Sequence, residues 1–236
     1  MKQNMKHEEA LRAFEKRAGI AFKSRELLER AFTHRSYLNE AHAGSREHNE
    51  RLEFLGDAVL ELSVTDHLFR AYPAHTEGDL TSYRAALVNA VTLSGIAESL
   101  GMNECLLLSK GEAKDTGRAR ATILANTLEA LIGALYLDQG YAPANDFVLR
   151  HVAPHIKEVL AKGAWRDAKS AFQEYAQEKY GMTPKYTTVK AEGPDHDKHF
   201  VVSVSVGDVV LREGEGKSKQ EAEQMAAEKA LKEKED

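Results

Sequence analysis

The sequence predicts a mostly α-helical protein, with an all-helical first domain over residues 7–160, a linker over 161–167 and a small α-β-β-β-α module over 168–233. Three observations carry that expectation. Residues 48–62 and 123–137 read as helices that are apolar nearly all round, and such helices belong in a core. Ala161-Lys162-Gly163-Ala164 is a short run of small and flexible residues, after which the pattern changes. Beyond it, Phe200-Val201-Val202-Ser203-Val204-Ser205-Val206 alternates with the period of a half-buried strand.

At 236 residues the chain holds one large or two ordinary domains, and 42% hydrophobic with 29% charged residues describes a globular protein. The net charge of −5 argues against a nucleic-acid binder on composition alone, so any such contact must come from local basic clusters. The single Cys105 excludes an internal disulfide, as suits a reducing compartment. The N-terminus lacks the apolar run of a signal peptide, and no stretch approaches membrane-spanning length. The expected location is cytoplasmic, without a membrane partner.

In order along the chain, residues 7–18 predict a short helix stopped by Gly19. Ser24 caps a second over residues 25–38, with Leu27, Leu28, Ala31 and Phe32 at helical spacing. Residues 43–47 are a polar loop leading into the helix that starts near His48 and runs to Tyr72, where Pro73 ends it. A turn at 76–81 opens a capped helix through Leu100, closed by Gly101. Ala113 to Arg120 reads as a mobile polar loop whose Lys114, Arg118 and Arg120 can reach phosphates or simply be solvated. The second apolar helix follows and ends near Asp138–Tyr141, and a last helix spans residues 143–160, with Pro143 in its first turn.

Both apolar helices carry acids. Glu50, Glu53 and Asp57 lie at offsets of 0, 3 and 7, within an arc of about 60° at 100° per residue. Asn126 and Glu129 are neighbours at i and i+3. A solvated acidic stripe explains the first set, with Glu61 extending it by a turn. A divalent metal explains both, because Mg²⁺ takes hard oxygen ligands and two such stripes facing each other form a multi-oxygen cage. A di-iron carboxylate bundle needs paired Glu-x-x-His motifs, and none occurs here.

The run Asn49-Glu50-Arg51-Leu52-Glu53-Phe54-Leu55-Gly56-Asp57 resembles the signature of the ribonuclease III family of double-strand-specific endoribonucleases, and Glu129 to Ala134 resembles its second catalytic segment. The resemblance implies Glu53, Asp57, Asn126 and Glu129 as metal ligands, with Asp57 and Glu129 catalytic and Glu50 positioning the scissile strand. Mg²⁺ is the implied cofactor, with Mn²⁺ expected to substitute. His34 and Arg35 lie in a segment similar to one beside the RNA, although the residues by themselves favour a polar helix end tying down a loop. Phe54 corresponds to a residue that plugs a pocket on the second subunit, which implies a homodimer; an ordinary core Phe is the alternative.

Residues 168–180 predict a helix, 185–191, 199–206 and 209–215 strands, and 218–232 a final helix. This module resembles a double-stranded-RNA-binding domain on Phe172-Gln173-Glu174-Tyr175, Gly193-Pro194-Asp195-His196 and Gly214-Glu215-Gly216-Lys217-Ser218-Lys219. By that resemblance Gln173 and His196 enter successive minor grooves. Lys217, Ser218 and Lys219 bind phosphate at a helix start, where side-chain charge and the helix's positive end combine.

Two departures matter. Gln220 stands where the family has a second lysine, and the module carries more acids than bases, so its affinity for RNA should be modest. Asn126 stands where the family has Asp. An amide oxygen still ligates Mg²⁺ or its water, but brings no charge and cannot act as a base. Natural tolerance of the amide, a weakened enzyme and an inactivating change are the three explanations. The expected function is Mg²⁺-dependent cleavage of both strands of duplex RNA. It should leave 5′-phosphate and 3′-hydroxyl ends with short 3′ overhangs, as in maturation of ribosomal RNA and trimming of structured messenger RNA. The alternative is a duplex-RNA-binding dimer with catalysis weakened or lost at Asn126.

Overall fold

The structure is a computed structural model that describes residues 2–41, 47–114, 116–162, 168–193 and 198–232. The chain divides into two compact units, Met1–Trp165 and Arg166–Asp236. The first is helical among its described residues: α1 Lys2–Ala18, α2 Arg25–Ala31, α3 Arg35–Ala41, α4 Glu50–Ala71, α5 Glu77–Leu87, α6 Ala90–Ser99, α7 Arg118–Gln139, α8 Tyr141–His151 and α9 Ile156–Lys162. Helices α4 and α7 pack along each other at the centre, burying Leu52, Leu60 and Val64 from one and Leu124, Leu128 and Leu131 from the other.

Three helices expected as single pieces are broken. The span 25–38 stops at Ala31, because Thr33 forms a parallel bridge with Leu107. Leu107 N donates to Phe32 O (2.9 Å) and His34 N to Leu107 O (3.1 Å). The span to Leu100 divides at Asn89, whose extended backbone and Oδ1, accepting from Thr92 N at 3.0 Å, start α6. The span 143–160 breaks at a 3-10 turn, Ala153–His155, containing Pro154. The expected loop before α7 is shorter than predicted, since Glu112–Lys114 is a 3-10 turn and α7 begins at Arg118. Arg120 Nη2 donates to Glu112 O at 2.8 Å.

Other signals were read correctly. Ser24 Oγ accepts from Leu27 N (3.3 Å), and Thr76 with Asp79 forms a reciprocal capping box at α5. Asp138, at the far end of α7, accepts from Lys23 N and Ser24 N, which locks α2 to α7. One expectation on membranes needs correcting: among the described residues α7 is long and apolar enough to cross a bilayer. It is the core helix of this unit, with eleven buried residues.

The second unit pairs α10 Ala168–Tyr180 and α11 Lys219–Lys232 with the antiparallel sheet β1-β2-β3, formed by Lys185–Glu192, His199–Val206 and Val209–Gly216. Its core joins Phe172 and Ala176 to Val204, Ala226 and Ala227. A Cβ on Gly214 would lie 2.2 Å from both Ala222 O and Ala226 N, so α11 rests directly on the β3 backbone.

Candidate active site

Two glycines bring the acidic stripes together. A Cβ on Gly56 of α4 would lie 1.7 Å from Glu129 O, and one on Gly133 of α7 would lie 2.2 Å from Leu52 O. The helices therefore cross backbone to backbone at the turn that carries Glu53 and Asp57 on one side and Asn126 and Glu129 on the other. The signal was legible as two glycines inside apolar helices, one turn from the acids.

The resulting site is electrostatically tense. Glu129 is half-buried on α7, and burial, Asp57 and Glu53 together push its carboxyl up to about 7. Burial also pushes the Glu53 carboxyl up, with Glu50 and Asp57 adding to the shift. The neighbouring Asn126 amide opposes it. Glu50 and Asp57 are exposed. Among the described residues no three His, Cys, Asp or Glu side chains already stand at metal-ligand spacing.

A cleft of about 550 Å³ opens from Glu50, Glu53 and Asn126 and is walled by His34, Arg35 and Glu112. Arg35 opens α3, and its Nη1 donates to Glu50 Oε1 at 3.2 Å, so it tethers an exposed acid at the cleft rather than ending a helix. Burial pushes the His34 imidazole down; its Nδ1 lies 2.8 Å from Ser36 Oγ and accepts from Ser36 N at 3.3 Å, which leaves the ring proton on Nε2. Asn49 and Glu112 line the cleft without having been singled out from sequence. Asn49 is fully buried, and its Nδ2 donates to Ala31 O (3.1 Å), fixing where α4 begins.

Phe54 projects from the same turn of α4 and is 83% exposed, which rules out an ordinary core Phe. Leu62 and Phe69, at i+8 and i+15, continue an apolar exposed face on a helix expected to be buried all round.

In the second unit Gln173 is exposed on α10 and Lys217 and Lys219 are exposed at the start of α11. Ser218 is the cap of that helix: its Oγ accepts from Glu221 N at 3.1 Å. Glu221 Oε2 in turn accepts from Lys217 N at 2.7 Å, which sets a carboxylate among the lysines. His196 lies outside the described residues.

Comparison with known proteins agrees with this arrangement. A family described as "Ribonuclease-III-like" matches residues 24–156, and one described as "Double-stranded RNA binding motif" matches residues 168–234. Ribonuclease 3 of Pelotomaculum thermopropionicum is 45% identical over 95% of this chain and 93% of its own. Ribonuclease 3 of Bacillus cereus is 45% identical over 98% of this chain and 94% of its own. This chain belongs to the ribonuclease III family. It is an endoribonuclease with a double-stranded-RNA-binding module. Among solved structures, a ribonuclease III nuclease domain from Campylobacter jejuni superposes with a TM-score of 0.55 at 39% identity. That match covers 60% of this chain and 95% of that one, and the domain's description concerns flexibility in a region involved in dimer formation.

The donors at this ribonuclease III site fit a hard divalent cation. Every candidate ligand is an oxygen, the charges are uniformly negative, and the raised Glu129 and Glu53 carboxyls are groups that a cation would return to the ionised form.

Proposed function

We propose that this protein is a Mg²⁺-dependent ribonuclease III that cuts both strands of duplex RNA as a homodimer with one acidic site per subunit. The supporting observation is the glycine-mediated crossing of α4 and α7, which brings Asp57 and Glu53 close enough to raise the Glu129 carboxyl. Those three carboxylates, with Asn126 as a neutral oxygen donor, would hold Mg²⁺, with Mn²⁺ able to substitute. When bound, such an ion supplies Lewis acidity, making a water nucleophilic near neutral pH and offsetting charge on the phosphate. Glu50, tethered by Arg35 at the mouth of the cleft, positions the scissile strand. His34 and Arg35 line the approach of the RNA backbone.

The exposed Phe54 supports the dimer, since an aromatic so fully in solvent on an apolar helix face asks for a partner surface. In the RNA-binding domain, residues 168–233 after a linker at 161–167, Lys217 and Lys219 provide phosphate contacts at the capped start of α11. Ser218 contributes by fixing that start, and Gln173 and His196 reach the minor grooves. Products with 5′-phosphate and 3′-hydroxyl ends and short 3′ overhangs follow, as does a role in processing ribosomal, messenger and transfer RNA precursors. The free, buried Cys105 suits a cytoplasmic enzyme.

The test is cleavage of a long duplex RNA in Mg²⁺ by the native protein and its Glu129→Gln and Asn126→Asp variants. Cleavage lost only in Glu129→Gln is the expected result. Cleavage by Asn126→Asp alone favours the second reading, a duplex-RNA-binding dimer whose catalysis is lost at Asn126. Binding without cleavage in all three overturns the site.

A further inference from the structure

The start of α3 and the segment leading into the 3-10 turn Glu112–Lys114 meet at one hydroxyl. Ser36 Oγ accepts from Ser109 N at 3.1 Å and lies 2.8 Å from His34 Nδ1. Ser36 N–H, which can only donate, reaches the same Nδ1 at 3.3 Å, so this ring nitrogen is an acceptor and the hydroxyl hydrogen points to it. The His34 backbone is held as well, since His34 N donates to Leu107 O at 3.1 Å. Ser109 Oγ in turn accepts from Glu112 N at 3.2 Å. One run of hydrogen bonds therefore joins His34 to Glu112, two walls of the cleft that also holds Glu50 and Glu53. Burial lowers the His34 imidazole, with Arg35 and His48 adding to the effect and Glu112 and Glu50 opposing it. The neutral ring carries its proton on Nε2, which has no partner among the described residues.

We propose that Ser36 is a positioning residue for the substrate: it fixes the His34 ring as a neutral Nε2–H donor to a backbone oxygen of duplex RNA entering the cleft. A donor without charge adds direction to the contact and little long-range attraction. The inference rests on the reading of this cleft as the approach of the RNA backbone.

Long-range ¹H–¹⁵N spectra of the imidazoles in the full chain test it on the native protein, Ser36→Ala and Ser36→Thr, with His34→Ala identifying the signal among the ten histidines. The native His34 should be a single Nε2–H tautomer at neutral pH. Ser36→Ala should mix the tautomers and move the titration midpoint up toward the ordinary 6.5, and Ser36→Thr, which keeps the hydroxyl, should restore both. In cleavage of duplex RNA, Ser36→Ala should raise KM about three- to tenfold, the scale of one neutral hydrogen bond, with kcat held. His34→Ala should weaken duplex binding at an unchanged log–log salt slope, because an uncharged donor releases no counterion. That loss persists on a 2′-fluoro duplex when the acceptor is a phosphate oxygen and vanishes when it is a ribose hydroxyl. A native His34 protonated on Nδ1, Ser36→Thr behaving as Ser36→Ala, or a fall in kcat at unchanged KM overturns the proposal. Spectra as expected together with native-like RNA binding by His34→Ala instead overturn the reading of the cleft.

Discussion

Glu129 is half-buried on α7 between the charges of Asp57 and Glu53, and its carboxyl titrates at about 7, against an ordinary value of 4.5. The sign of the consequence follows from linkage. A carboxyl whose folded-state pKa is raised favours the fold while it is protonated, and that contribution disappears as pH rises from about 4.5 through about 7. The ion-free protein should therefore lose stability across that window. Glu129→Gln keeps the shape without the charge. It should melt about 2–6 °C above the native protein at pH 8 in chelator and converge with it at pH 5. The same variant should lose cleavage by about a thousandfold or more, as expected for removing a group that acts in the transition state. Melting curves at the two pH values with a single-turnover assay check both halves. A Glu129→Gln protein no more stable than native at pH 8 would show that the like charges do not meet. The acids themselves were legible in sequence, because carboxylates at helical spacing among core residues are conspicuous. The separation of Glu129 from Asp57 and Glu53 was not, since it depends on the distance between two helices that sequence leaves free.

That distance is set by elements rather than by single side chains. Gly56→Ala would place a methyl 1.7 Å from Glu129 O, and only separation of α4 from α7 relieves it. Overpacking of this kind costs about 1–3 kcal/mol or more, to be read as a lower denaturation midpoint at unchanged slope. Cleavage should fall further than the loss of folded protein accounts for, because the clash bears on the backbone of Glu129 itself. Retention of full specific activity by the folded fraction would detach the crossing from the site. At this scale the long helices, the turns around Ser24 and Thr76 and all elements of the RNA-binding module were readable, because caps and periodicity are local. The break at Thr33 was not, for its cause is a bridge to Leu107 far along the chain. The break at Asn89 could have been read, since Asn is a strong cap even inside an apolar run. At the start of α11, Lys217 and Lys219 share a capped helix end with Glu221. Replacing both lysines with alanine should weaken duplex-RNA binding whatever its sequence and flatten the salt dependence by about two units of log–log slope. Binding titrations from low to moderate salt give that slope, and an unchanged one would place the RNA elsewhere.

For the whole molecule, net charge and exposed surface point to different partners. At −5 overall the chain repels RNA at long range, so on the proposed reading binding should depend on the lysine-bearing helix end and on cations at the acidic site. The exposed apolar face of α4 repels nothing: Phe54 is 83%, Leu62 56% and Phe69 70% in solvent on a single helix. A patch of that kind on a domain with a well-filled core marks an interaction surface. Because Phe54 shares a helical turn with Glu53, whatever covers it also sets the rim of the acidic site. A second copy of this chain satisfies both conditions. Leu62→Glu should therefore yield a monomer by sedimentation velocity at micromolar concentration, with little change in melting temperature of the monomeric fold, since the side chain is already outside the core. Phe54→Ala should weaken the dimer by about tenfold or more, in the range of a truncated aromatic anchor. Loss of the dimer should carry away the proposed coordinated cutting of the two strands, leaving nicked duplexes in place of short double-stranded products. A native protein that sediments as a monomer at every concentration would remove the dimer, and Phe54 would then need a different partner.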